Sequence, residues 1–195
     1  PILPMTWWSA VLVPGGDLDD VESKFVRDLA AKDTRLSFVA TGKDLCTALA
    51  NTDYALFCLG SIQLNSLSTY LLLEAAQRAE SQVVYGDHDH VEENGSRIDP
   101  VFKPQPSPTY LSQFNYLGDC VLVARSAQSS ADTGALVAGG VEAFDRLVST
   151  VARGASAVHV PFILFHVLDR KERADLFAPS FPDEGPSVAI IIPTR

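Results

Sequence analysis

Short apolar runs alternate with helix-patterned segments along this chain, and that order constrains its fold more than any single motif. Residues 10–13 of "WWSAVLVPGG" form an apolar run closed by Pro14, Gly15 and Gly16, the pattern of a buried strand entering a turn. In "LDDVESKFVRDLAAKD", Val21, Phe25, Val26 and Leu29 recur at helical spacing, with Asp19 or Asp20 as the cap. "RLSFVA" reads as a second strand, "GKDLCTALANT" as a short helix and "YALFCLG" as a third strand. "SLSTYLLLEAAQRAE" is a strong helix capped by Ser66 or Ser68, and "SQVVYGD" is a fourth strand. Strands alternating with helices predict an α/β fold with a mostly parallel sheet and flanking helices.

Beyond Asp87 the pattern changes. "HVEENGSRI" reads as a hairpin turning at Asn94 and Gly95. "PVFKPQPSPTYLSQF" carries four prolines, so it predicts an irregular loop ordered by Phe102, Tyr110 and Phe114. "DCVLVAR" is a strand, "GGVEAFDRLVSTVARGA" a helix and "AVHVPFILFHVL" a strand with its exit. A polar, proline-bearing stretch follows, and "PSVAIIIPTR" opens a further strand with no helix after it. The expected division is a domain over residues 1–168, a linker over 169–186, and the first strand of a following domain over 187–195. The chain then reads as a segment of a longer protein.

The net charge of −9 opposes a general nucleic-acid or anionic-membrane surface, because a phosphate backbone needs a basic face. It leaves room for a small anion held by a divalent cation. The cysteines Cys46, Cys58 and Cys120 are odd in number and form no CxxC pair, which suits a reducing cytoplasm and opposes a zinc knot. No run approaches the roughly 18 apolar residues of a membrane span. "PILPMTWWSA" has no basic region ahead of an apolar one, so no signal peptide is expected. Trp7 and Trp8 suit a core edge better than a sugar-stacking face. No GxSxG elbow, Walker loop or GxGxxG is present.

In open α/β sheets ligands gather beyond the carboxyl ends of the strands. Of the strand exits here, only "VVYGDHD" carries carboxylates directly. Asp87 and Asp89 stand at i and i+2, so on a continuing strand they share a face. Two carboxylates suit magnesium or manganese, and an added imidazole admits zinc or iron. The alternative is a solvated hairpin arm with its acids in water. His159 and His166 flank "VPFILF"; seven apart, they reach one ion only through a bend at Pro161, and otherwise are hydrogen-bonded histidines near a strand edge. Lys103, between Phe102 and Pro104, could hold a phosphate or carboxylate, or form a structural ion pair. Asp145, with Glu142 before it, could be a general base or a surface acid. Asp17 comes a few residues after the first strand. Cys120 has no evident activating base and reads as core.

The block from Tyr85 to Gly118 resembles family 2 glycosyltransferases of bacterial surface-polysaccharide synthesis. The matching residues are Tyr85, Asp87, Asp89, Gly95, Pro100, Phe102, Lys103, Pro104, Asn115, Tyr116 and Gly118. His159, Pro161, Leu164 and His166 match a later segment of the same family, and "PSVAIIIPTR" looks like the first strand of a second such domain. The resemblance implies a GT-A fold ending in a hairpin and loop region, a nucleotide-sugar donor and a divalent metal, Mn or Mg. It implies a glycan or sugar acceptor, a following glycosyltransferase domain in the same chain, no nucleic acid, and a bacterial cytoplasmic place, peripheral to the inner membrane face at most.

Three departures accompany it. Where the family has two acids after its nucleotide strand, this chain has Pro14, Gly15, Gly16 and Asp17, which leaves Asp17 as the nucleotide-binding candidate beside Lys103. Where its metal-holding Asp-x-Asp should follow "YALFC", Leu59, Gly60 and Ser61 stand. Where its base is expected, Ala143 stands, with Asp145 retained and Glu142 one residue off. The expectation is a degenerate, non-catalytic domain acting as scaffold or acceptor binder. The alternatives are an active metal-dependent transferase using Asp87 and Asp89, and an unrelated metal-dependent hydrolase.

Overall fold

The computed structural model describes residues 10–14, 36–38, 52–58, 62–65, 67–92, 94–128, 145, 148–149 and 152–168. The elements expected over "LDDVESKFVRDLAAKD" and "GKDLCTALANT", the residues Trp7, Trp8, Asp17, Cys46 and Glu142, and the 169–195 region lie outside them.

Among the described residues eight strands form one sheet: β1 (Ala10–Pro14), β2 (Leu36–Phe38), β3 (Tyr54–Cys58), β4 (Ile62–Leu64), β5 (Val83–Val91), β6 (Arg97–Val101), β7 (Cys120–Ala124) and β8 (Ala157–Val167). Their order is β2-β1-β3-β7-β5-β8-β4, and β6 is paired to β5. β1, β2 and β3 run parallel, as do β5 and β8. β7 runs against both β3 and β5, so it sits as an antiparallel strand between two parallel groups. β1, β3, β5 and β8 therefore end at the same edge of the sheet, where Gly118 and Asp119 lead into β7. The strand expected from "SQVVYGD" runs on through the charged block to Val91, and β4 was not foreseen from its three residues.

Side chains alternate across a strand, and here both faces are covered. Ala55, Phe57, Val83, Tyr85, Val121 and Val123 point to one side. Leu111, Tyr116, Leu117, Val148 and Ala152 complete that core. Residues 145, 148–149 and 152–154 are helical, in agreement with the helix read from "GGVEAFDRLVSTVARGA". Leu56, Val84, Cys120 and Leu122 point to the other side, against Leu72, Leu73 and Ala76 of α1 (Ser68–Arg78). Burying a Leu or Val side chain is worth about 1.5–3 kcal/mol, so the two apolar layers dominate the folding free energy. α1 lacks the side-chain cap expected of it: Leu67 is its N-cap, and the Ser68 hydroxyl donates instead to the carbonyl of Leu164 on β8. That bond joins α1 to the sheet rather than satisfying its own first turn.

Two one-turn helices, α2 (Pro108–Leu111) and α3 (Arg125–Gln128), complete the described elements. Ser107 caps α2, its hydroxyl accepting from Tyr110 N at 3.3 Å, and Pro108 supplies the first helical residue.

Candidate functional site

The conspicuous feature of the sequence lies where β5 passes from apolar to charged residues, with β8 on one side and the 101–118 loop above. Below this point β5 and β8 pair evenly, from Val83 with Ala157 to Gly86 with Val160. Above it the register slips twice: Asp87 pairs with Ile163, His88 with Phe165, and Asp89 with His166. The offset between paired residues grows from 74 (Gly86 to Val160) to 77 (Asp89 to His166), so β8 carries three surplus residues around Pro161. That surplus brings two histidines seven apart to two aspartates only two apart.

Each aspartate has its own histidine. His159 Nε2 donates to Asp87 Oδ1 at 2.8 Å, and the main-chain N–H of Lys103 donates to the same oxygen at 2.8 Å. Gln105 Nε2 lies 3.5 Å from the other ring nitrogen of His159. His166 Nδ1 donates to Asp89 Oδ1, while Arg97 Nε on β6 donates to Asp89 Oδ2 at 2.7 Å. Burial pushes the Asp89 carboxyl up, but the bonds from His166 and Arg97 outweigh it and hold the group below its ordinary value. Both aspartates are 3% exposed, so they are not a solvated arm.

Lys103 points inward. Its ammonium donates to the carbonyls of Gly86 at 2.5 Å and Leu117 at 2.7 Å, and lies 4.8 Å from the centre of the Phe165 ring. Burial pushes its pKa down to about 8, against the opposing influence of Cys120, Asp119 and Asp87. A phosphate grip was one expectation for this residue; the ammonium is instead spent on two main-chain carbonyls. Gly118 makes room for it: with φ +82°, a Cβ there would stand 2.6 Å from Nζ.

The remaining residues of the resemblance close the same unit. The Tyr85 hydroxyl donates to the Pro104 carbonyl at 2.6 Å, and the ring stacks on His159 with centroids 5.1 Å apart. Burial holds that phenol far above its ordinary pKa. The Tyr116 hydroxyl accepts from Ser107 N at 2.6 Å, and its ring stacks on Tyr110 at 5.1 Å. Asn115 Nδ2 donates to Asp145 Oδ1 at 2.7 Å, and Asn115 Oδ1 accepts from Leu117 N at 3.1 Å. The structure therefore gathers Asp87, Asp89 and Lys103 into one unit and ties half-buried Asp145 to the same loop. The sequence reading missed that His159 and His166 are the partners of these aspartates, and that Arg97 and Asn115 hold acids. The signal was available in part: two acids two apart on one strand, and two histidines on another strand interrupted by Pro161.

This arrangement does not fit a divalent cation. Asp87 and Asp89 each turn a carboxylate to a different imidazole, and a bound ion would have to displace those hydrogen bonds inside a buried seam. Among the described residues no group of three or more His, Cys, Asp or Glu side chains is placed to hold a metal. What the arrangement does is fix β5, β8, β6 and the loop to one another. A separate cleft of about 600 Å³, lined by Tyr54, Gln77, Gln82 and Ser126 among others, lies near the opposite edge of the sheet.

No family model matches the chain. It is 25% identical over 170 residues to the O-antigen biosynthesis protein RfbC of Myxococcus xanthus, covering 82% of this chain and 13% of that protein. Among solved structures it is similar to S. aureus TarS, with a TM-score of 0.56 and 12% identity, covering 84% of this chain and 37% of that one. TarS 1–349 in complex with UDP-GlcNAc gives a TM-score of 0.51 at 10% identity, covering 85% of this chain and 59% of that one. The chain thus spans 13% of the curated relative and well under two thirds of the solved chains. The fold is GT-A-like, and the expected resemblance to glycosyltransferases of surface-polysaccharide synthesis stands.

Proposed function

We propose that this chain is a glycosyltransferase-like domain of a bacterial surface-polysaccharide system that supports sugar transfer without performing it. The observation that carries this reading is the commitment of Asp87 and Asp89 to His159 and His166. A phosphate-bridging ion needs free carboxylates beside the nucleotide, and these two are spent on the sheet. The chain's Leu59, Gly60 and Ser61 supply no replacement where the resembling family places its metal-holding acids. In this reading residues 1–168 are the domain, 169–186 a linker, and 187–195 the first strand of a following transferase domain. A nucleotide-sugar and Mn or Mg belong to that following domain.

The part that faces a partner is the loop above the seam. Phe102 is 73% exposed, and Tyr110 is held rigidly by stacking on Tyr116. Aromatic faces of this kind suit the apolar face of a sugar ring, so the acceptor glycan is the ligand class. No helix among the described residues is long and apolar enough to cross a membrane, and the proposed location is the bacterial cytoplasm, with peripheral contact to the inner membrane at most.

Calorimetric titration with UDP, GDP and TDP, each with manganese, tests the reading. No binding from a well-folded sample is expected. Micromolar binding abolished by replacing both Asp87 and Asp89 with alanine would overturn it in favour of an active, metal-dependent transferase.

A further inference from the structure

Cys58 is the last residue of β3 and Cys120 the first of β7, and the antiparallel register sets them directly opposite each other. Their sulfurs lie 3.9 Å apart, and both are free thiols. Directly opposed residues of an antiparallel pair have Cα atoms about 4.5–5.5 Å apart, within the span of roughly 4.4–6.8 Å that a disulfide accepts. The register alone therefore brings these two cysteines, 62 positions apart in the chain, to bonding geometry without a shift of either strand. Their surroundings differ in a useful way. Cys58 is half-buried as a residue, whereas Cys120 is 1% exposed.

We propose that Cys58 and Cys120 form an oxidation site, which a low-molecular-weight disulfide converts into an intramolecular crosslink between β3 and β7. The thiolate of Cys58 attacks the small disulfide, forming a mixed disulfide and releasing one small thiol. The thiolate of Cys120 then attacks the Cys58 sulfur; the mixed disulfide breaks and the second small thiol leaves. The two cysteines lose two electrons and two protons, and the small disulfide gains them as two thiols. The hydrogen bond to Cys120 and burial hold the Cys58 thiol above its ordinary pKa, so the first step is slow at neutral pH and quickens as the pH rises. The crosslink falls at the edge where β1, β3, β5 and β8 end, and it ties β3 to the Gly118 turn that shelters Lys103. Oxidation would thus stiffen the edge of the sheet at which β3 ends and β7 begins.

The test uses the full chain carrying Cys46→Ser, so that only the two thiols in question remain. It is incubated folded with oxidised glutathione at mildly alkaline pH, then followed by intact mass, thiol count and peptide mapping. The expected result is loss of both thiols, a mass lower by two hydrogens, a Cys58–Cys120 crosslinked peptide reversed by dithiothreitol, and a higher melting temperature. Adding Cys120→Ser should arrest the reaction as a glutathione adduct on Cys58. Persistence of both thiols in the folded chain, a stable glutathione adduct without the crosslink, or covalent dimers would each overturn the proposal.

Discussion

The two halves of the β5–β8 pair are built on opposite principles. From Val83 to Gly86 the strands keep one register, and the side chains feed two apolar layers. From Asp87 to His90 the register slips, and charged or imidazole side chains are matched one to one across the strands. Burial in the lower half is non-directional, so a replacement there costs roughly the apolar area it removes. In the upper half each buried polar atom depends on a particular donor, and removing one partner strands another. The difference teaches that the charged block is a directional clamp placed on top of an ordinary core.

Asp87→Ala should be the most damaging single change, because it strands both His159 and the Lys103 amide. A loss of about 3–5 kcal/mol is expected, against about 2 kcal/mol for Val84→Ala in the lower half. Urea unfolding of both variants decides; a smaller loss at Asp87 than at Val84 would dissolve the contrast. Gly118→Ala comes next, at about 1–3 kcal/mol, since a Cβ must meet the Lys103 ammonium on a backbone with positive φ.

The Lys103 clamp also predicts a pH signature. Its folded-state pKa is depressed to about 8, below the ordinary lysine value of about 10.4. Between these values the unfolded chain holds a proton that the folded chain has lost, so this group makes stability rise with pH across that window. Lys103→Met should remove that rise, which paired denaturation series from neutral to alkaline pH would detect. Tyr85 works the other way beyond it: its phenol is held above the ordinary value near 10, so its contribution fades as the pH climbs further. The smallest effect is expected at Arg97, whose side chain is half exposed; Arg97→Ala should cost less than about 1 kcal/mol. Its clearer trace is in acid. Asp89 stabilises the fold above its ordinary range near 3.9, and this is lost as the pH falls through its lowered value. Without Arg97 that loss should be smaller and complete at a higher pH.

Much of this was legible in advance. Short apolar runs found β3, β5 and β7, and helical patterning found α1, because strands buried on both faces leave continuous apolar runs in sequence. The Asn94 and Gly95 turn was equally readable, since Gly95 adopts the positive φ that such turns favour. The antiparallel placement of β7 was not, because strand order is set by long-range packing that no local pattern records. The site was read as a set of residues but not as a set of bonds. Asp87 and His159 are 72 positions apart, and nothing in the local spacing of either announces the other. The surroundings of Lys103 were hidden for the same reason: they are made by Gly86, Leu117, Gly118 and Phe165, from three separate stretches of chain.

The surplus of three residues on β8 has a consequence for which sequence changes the chain can tolerate. In an unbroken strand, positions seven apart fall on opposite faces, whereas the two aspartates, two apart, share one. An odd surplus is what reconciles an odd spacing with an even one. Loss of a single codon near Pro161 would reverse that parity, presenting His166 to the wrong side of the sheet while leaving every individual side chain of the clamp intact.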